Sequence, residues 1–488
     1  MHQLTKTDFI QYLNCPQSLW LLKNKPEDYP KGDFSLFLEK LIKEGYEVEV
    51  CAQKLFPEAF KLPDFGTAEF TKQELELGEK HYLQATFETE QGAFARVDIL
   101  ERKEDGTWHI YEVKSSTSVK TDKKHNHLKD ACFQKVTMER CGYKVSQVSI
   151  INLNGDYVRE GDINVYQLLN INDVTQQVEE LYPEVEAQID EANQYINQPS
   201  INTDYCLCRE KTRSNHCDSF KYFNTEIPEH SIYEINRISQ KKVIQLVDDG
   251  ITFLGDVPDD FKLNDKQKLQ VESFKKRKAI TNQFAIHQEL EQLEYPLHFI
   301  DYETYASAVP RIDGVKPHQH IPFQVSIHTM DKEGNTTHHE YLAEDLELPE
   351  KLIEFMVSAT GKTGTFISWH ASFESSRNDD MMEWYPQHKG YLSYMNNHMF
   401  DLEDIFKENY VDYQFRGSTS IKKVLPIVAP HLSYADLEVQ NGTMALDTWG
   451  RLVLDDNFEG DKEKVIKELL DYCKMDTWAM VEVFKNIQ

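Results

Sequence analysis

Apolar and polar residues alternate along FARVDILER and again along TWHIYEVKS, and the turn residues Glu104-Asp105-Gly106 separate the two runs. Period-two alternation on both sides of such a turn predicts a β-hairpin. From Tyr295 a new apolar run, PLHFIDYETYA, opens a second series of strands alternating with helical segments that continues to the C-terminus. Between them, from IPEHSIYEINRISQKKVIQLVDDG to AIHQELEQLEYP, the spacing is helical, and Asp248-Asp249-Gly250 supplies a helix stop. LNDKQKLQVESFKKRK in this zone also reads as helical. These patterns predict an α/β chain with a first domain over 1–225, a helical connector over 226–290 and a second domain over 291–488.

The 488 residues are enough for about two to four domains. Hydrophobic residues at 40% and aromatics at 11% supply real cores. The sequence has no apolar run of membrane-spanning length, and its start lacks a basic segment followed by an apolar signal core, so a soluble, cytoplasmic protein is expected. A net charge of −29 argues against non-specific coating of nucleic acid, although a local basic groove and carboxylate chemistry remain compatible with it. Two basic runs, KTDKKHNHLK (Lys120 to Lys129) and FKKRK (Phe274 to Lys278), read first as solvated surface.

Within the hairpin, Glu112 and Lys114 sit two apart and project from one face of their strand, and Asp98 on the partner strand can meet them. Two carboxylates hold a hard divalent cation, and a neighbouring lysine can orient or help deprotonate an attacking water. Asp98 followed by Glu112-Val113-Lys114 resembles the core of the PD-(D/E)xK nucleases, closest to the RecB-like branch. The resemblance implies a role for Gln134, on the helix that follows. At the early-helix position where that branch usually has a metal-binding histidine, this sequence offers Glu49 in GYEVEVCAQKLFP.

Eight cysteines in a chain this long do not make a disulfide framework. Cys15 lies in YLNCPQSLWL, and Cys206, Cys208 and Cys217 cluster in YCLCREKTRSNHC. One early cysteine with three late ones is similar to the iron–sulfur clasp of RecB-like exonucleases, including the nuclease of CRISPR spacer acquisition. A [4Fe–4S] cluster is therefore implied, with zinc on the same four thiolates as the chemical rival. Cys51, Cys132, Cys141 and Cys473 are expected to be buried packing residues.

In PLHFIDYETYA, Asp301 and Glu303 share one strand face, where two carboxylates repel unless a cation lies between them. LLDYCKMDTWAMVEVF has helical periodicity and sets Tyr472 and Asp476 one turn apart on one face. FISWHASFESS reads as a strand ending in a turn, with Glu374 after an aromatic. In this order the segments resemble the three motifs of a DEDDy exonuclease, which has a ribonuclease H-like fold. In the second motif His370 and Glu374 replace the usual Asn-containing run closing on Asp, and Asp401 is the fallback carboxylate. STSIKKVLPIVAP, with Lys422 and Lys423, resembles the helix near the substrate strand.

The resemblances imply two nuclease domains, PD-(D/E)xK and ribonuclease H-like. Each would use Mg²⁺ or Mn²⁺ to hydrolyse phosphodiester bonds, with DNA favoured over RNA. In the second, Asp301, Glu303, Glu374 and Asp476 would hold two ions, Tyr472 would position water, and the polarity would be 3′ to 5′. Two alternatives stand beside this: an RNA-processing second domain with a non-catalytic first one, and a silent nucleic-acid scaffold.

Overall fold

The computed structural model describes residues 2–30, 36–63, 66–122, 125–434, 437–439, 441–455 and 458–488. Lys123 and Lys124 of the first basic run lie outside them. The fold is mixed α/β, with several sheets and many helices, and divides into two units. The first comprises Met1–Glu226 with Ser307–His318, the second Ile227–Ala306 with Gln319–Gln488. No helix among the described residues is long and apolar enough to cross a membrane.

The first unit is built on strands β1 (Leu4–Thr5), β2 (Phe60–Lys61), β3 (His81–Glu88), β4 (Ala93–Arg102), β5 (Trp108–Lys114), β6 (Val145–Leu153) and β7 (Leu169–Asp173). Their order is β2-β3-β4-β5-β6-β7, with β1 parallel to the start of β4. β4 and β5 form the antiparallel hairpin, and β5 continues parallel to β6. Burial on both faces explains why β6 reads as nearly continuous hydrophobics after its polar start. The helices His127–Arg140 and Thr175–Ile196 pack together over one face of the sheet. Helix Leu36–Gln53 packs against β5 on the other face, in a cluster that includes Val48, Tyr111 and Leu153. Ala308 and Val309, from the chain between two later strands, belong to this same cluster.

The second unit holds β8 (Ile280–Thr281), β9 (Leu297–Tyr305), β10 (Ile321–Met330), β11 (Thr336–Leu342), β12 (Thr365–Ser368), β13 (Met399–Asp401) and β14 (Tyr410–Val411). Its main sheet runs β11-β10-β9-β12-β13. β10 is antiparallel to both neighbours, whereas β9, β12 and β13 are mutually parallel. Along β9, Ile300 and Tyr302 join the apolar layer of helices Glu350–Thr360 and Lys389–Asn397. Phe299 on the opposite face packs against helix Lys462–Ile487, so alternation aims Asp301 and Glu303 toward that helix.

The middle of the chain is not purely helical. It contributes helices Gln240–Asp248, Asp265–Lys276 and Gln283–Leu290, and also β8, which pairs with β14 inside the second unit. Gly417 shows how closely this segment is packed. Its φ is +75°, and a Cβ there would lie 1.9 Å from the Glu234 carbonyl oxygen, so only glycine fits. In the second basic run Phe274 is buried, while Lys275 pairs with Asp259 and Lys276 with Glu272 upstream of it.

Candidate functional site

On β9 and helix Lys462–Ile487 the second unit gathers Asp301, Glu303 and Asp476, each with a carboxylate oxygen within 4.8 Å of the others. Strand period two sets the first pair, and the helix, capped by Asp461, delivers the third. Burial, then repulsion from Asp476, raises Asp301 and Glu303 well above the usual carboxylate range. Asp476 is raised too, chiefly by burial, while Lys422 and the phenols of Tyr434 and Tyr472 pull the other way.

Glu374 adds its charge to the same place, repelling both Asp301 and Glu303. It lies in the first turn of helix Ser372–Trp384, beyond the end of β12 rather than on a strand end. Only 2% exposed, its Oε2 has no hydrogen-bond partner, and burial pushes its carboxyl up to about 7. Asp401 lies close enough to repel Glu374, but it caps helix Leu402–Glu408 and accepts the His370 amide. It clusters with His370 and Glu403 rather than with Asp301.

Three further residues border this site: the sequence places Lys422 near the substrate strand and Cys473 in packing, whereas Tyr434 leaves no local pattern. Tyr434 donates from a loop to Asp476 Oδ1 at 2.6 Å. Lys422 stands 3.5 Å from the Tyr472 hydroxyl, its ammonium 5.3 Å from the ring centres of both Tyr434 and Tyr472. Cys473 is fully buried with Sγ 3.6 Å from Asp301 Oδ2, so it belongs to the site rather than to plain packing.

The first unit brings its acids together differently. The register places Ile99 opposite Tyr111, and next to it Asp98 Oδ2 accepts the Val113 amide at 2.8 Å, which brings Asp98 beside Glu112. Glu112 is fully buried and already neutralised: Lys114 lies 2.8 Å from Oε1, Lys6 pairs with the same oxygen, and Gln134 donates to Oε2. Burial alone would raise Glu112, but the two ammonium groups outweigh it and hold its carboxyl low. Asp98 is raised by burial and then by Glu112, which together outweigh the pull of Lys6 and the Val113 amide. Lys114 also pairs with Asp130. Glu49 accepts from Gln84 at 2.5 Å and Gln53 at 2.8 Å, and burial raises it. Gln84 holds a left-handed φ of +61° in the middle of β3, a strain that aims it at Glu49. Lys6, Asp130 and Gln84 left no sequence signal.

Cys15, Cys206, Cys208 and Cys217 converge, their sulfurs all within 4.8 Å of one another. Cys15 precedes helix Pro16–Asn24; Cys206 begins and Cys208 lies within the 3₁₀ turn Leu207–Glu210, and Cys217 follows the turn Arg213–Asn215. Lys211 donates to the Asn14 carbonyl and ties the two ends together. Of the remaining cysteines Cys51 and Cys132 are buried, whereas Cys141 is only half-buried, because its helix ends there.

Residues 298–420 match a family described as Domain of unknown function (DUF2779). The match takes in Asp301, Glu303 and Glu374 and stops before Lys422, Tyr434, Tyr472 and Asp476. An uncharacterized protein of Mycoplasma genitalium is 26% identical over 211 residues, covering 39% of this chain and 32% of the relative. Its Mycoplasma pneumoniae homolog is 26% identical over 232 residues, covering 43% and 34%. The chain thus spans about a third of the length of these curated relatives.

Proposed function

We propose that this protein is a metal-dependent nuclease that hydrolyses phosphodiester bonds, with a DEDDy-type exonuclease in its second unit and a RecB-like PD-(D/E)xK domain in its first. One observation carries the reading. Asp301, Glu303 and Asp476 converge within 4.8 Å, the Glu374 carboxylate adds its repulsion, and among the described residues Lys422 is the cation drawing on Glu303 and Asp476. Like charges so close in a buried site call for a cation. The all-oxygen donor set suits Mg²⁺ or Mn²⁺. When bound, such an ion supplies Lewis-acid charge at a phosphoryl oxygen.

The chain's own groups have distinct parts in this reading. The carboxylates of Asp301, Glu303, Glu374 and Asp476 hold the ion, and Tyr472 orients the attacking water. Lys422 offers positive charge to the phosphate of the strand. In the first unit Asp98, Glu112 and Glu49 are the corresponding ligands and Lys114 the water-activating group. Single-stranded DNA is the favoured substrate, by analogy with the RecB-like branch.

A second reading has its own support. Glu112 is paired with both Lys6 and Lys114, which favours a first unit that grips a strand without cutting it, leaving cleavage, of RNA included, to the second. Degradation of 5′-labelled single strands of DNA and RNA in Mg²⁺ or Mn²⁺ tests both. Loss of all cleavage in Asp301→Asn, with Lys114→Met unaffected, selects the second reading; residual cleavage in Asp301→Asn that Lys114→Met removes selects the first. A wild-type protein that degrades neither strand with either ion is a scaffold.

A further inference from the structure

We propose that Cys15, Cys206, Cys208 and Cys217 hold one tetrahedral zinc ion rather than a four-iron cluster. This rests on reading the four cysteines as ligands and is independent of any cleavage chemistry.

The size of the sulfur cage decides it. Four thiolates on one zinc, at about 2.3 Å each in tetrahedral array, stand about 3.8 Å apart. Here the Cys206 and Cys217 sulfurs are 3.9 Å apart and no pair exceeds 4.8 Å. In a [4Fe–4S] cluster each thiolate sits on a different iron, so the iron–iron separation adds to the outward bonds and spreads the sulfurs to about 6 Å or more. A two-iron cluster spreads them likewise across its iron pair. The cage admits one ion.

Its surroundings agree. Cys15, Cys206 and Cys208 have no exposed surface, and Leu21 and Phe223 complete the buried wall, with Phe220 and Tyr222 packed on it. Widening the cage to cluster size would mean opening that wall. The Asn224 amide points its Nδ2 at Cys206 Sγ, 3.3 Å away, a donor that suits a metal-bound thiolate. The backbone holds the ligand turns compact: the Cys206 carbonyl accepts from Arg209 and the Cys208 carbonyl from Lys211, both at 3.0 Å. One residue between Cys206 and Cys208 places their sulfurs together on such a turn.

The test is elemental analysis of the full-length protein, isolated anaerobically from cells supplied with both iron and zinc. We expect a colourless protein with one zinc per chain and no acid-labile sulfide. Replacing zinc by Co²⁺ should give tetrahedral cobalt–thiolate absorption bands, and Cys208→Ser should lose them. A brown protein with about four iron and matching sulfide per chain overturns the proposal, as does a protein that takes up neither metal. Asp301→Asn should keep its zinc; if it loses it, the ion sits among the carboxylates and the proposal fails. Because metal content is read without nucleic acid, its outcome leaves the nuclease reading to its own assay.

Discussion

Glu374→Gln should make the metal-free protein more stable while removing its response to metal. The folded carboxyl is held up at about 7 against an ordinary 4.5, by burial first and by repulsion from Asp401 among its neighbours. A raised carboxylate value means that the folded state keeps a proton which the unfolded chain has already released. Stability is therefore lost as pH rises from about 4.5 to about 7 and stays lost above that. Two and a half pH units at about 1.4 kcal/mol each give about 3 kcal/mol, all of it present at pH 8. Glutamine keeps the shape, carries no charge, and brings a donor to a place crowded with acceptors.

Scanning calorimetry in EDTA is the assay. For a unit of this size about 3 kcal/mol corresponds to roughly 6–12 °C, so at pH 8 the variant should melt higher by that amount. Near pH 4.5 the two proteins should melt together. Mn²⁺ should raise the wild type at pH 8 and leave the variant nearly unmoved. Equal melting at pH 8 in EDTA would refute the burial argument. Full exonuclease activity in Glu374→Gln, with Asp401→Asn inactive, would transfer the ligand role to Asp401.

Tyr434→Phe should weaken Mn²⁺ binding about 10- to 100-fold, because the phenol holds ligand Asp476, and spare turnover at saturating metal. Tyr472→Phe should do the reverse, keeping Mn²⁺ affinity and losing about 10²-fold in turnover; titration calorimetry beside a kinetic assay separates them, and matching losses in both variants would contradict this division. Lys114→Met, combined with Asp301→Asn to silence the second unit, should remove whatever cleavage remains while the protein stays folded; unchanged residual cleavage would show Lys114 to be structural. Val309→Asp should destabilise the first unit by about 3 kcal/mol or more, since it puts an unpaired charge into the apolar cluster around Val48 and Tyr111. Unchanged resistance of that unit to limited proteolysis would count against the packing role.

What the sequence discloses about these sites follows the range of the interaction. Asp301 and Glu303 are two apart on a strand, and Tyr472 and Asp476 four apart on a helix, so secondary-structure geometry alone pairs them. The hairpin turn at Glu104-Asp105-Gly106 likewise brings Asp98 to the Glu112-Val113 end of β5. Lys6 reaches Glu112 across 106 residues, and Tyr434 reaches Asp476 from a loop with no periodicity. Neither leaves a local trace. Ser307–His318 is the extreme case: it lies in sequence between β9 and β10 yet packs in the first unit, with Arg311 on Glu47 in helix Leu36–Gln53, which also carries Glu49. A fragment ending near residue 225 would lack that segment, so point substitutions in the full chain are the sound way to probe the two sites separately.

The two acidic sites handle buried charge in opposite ways, and the contrast bears on how each would take a metal ion. Around Glu112 two ammonium groups and an amide satisfy the carboxylate, so the metal-free site is near balance and a cation must displace Lys6 from Oε1 to gain that oxygen. Around Asp301 the carboxylates are close and, among the described residues, Lys422 is the cation that acts on Glu303 and Asp476, so the folded protein carries repulsion that a divalent ion relieves. Metal binding at the second site is therefore coupled directly to stability, and at the first it is opposed by an ion pair already made. Mn²⁺ titrated into apo-protein should fill the second unit first. Lys6→Ala should then bring the first site's affinity closer to the second's. Equal Mn²⁺ affinities at the two sites in the wild type, unaltered by Lys6→Ala, would mean that Lys6 exerts no such control.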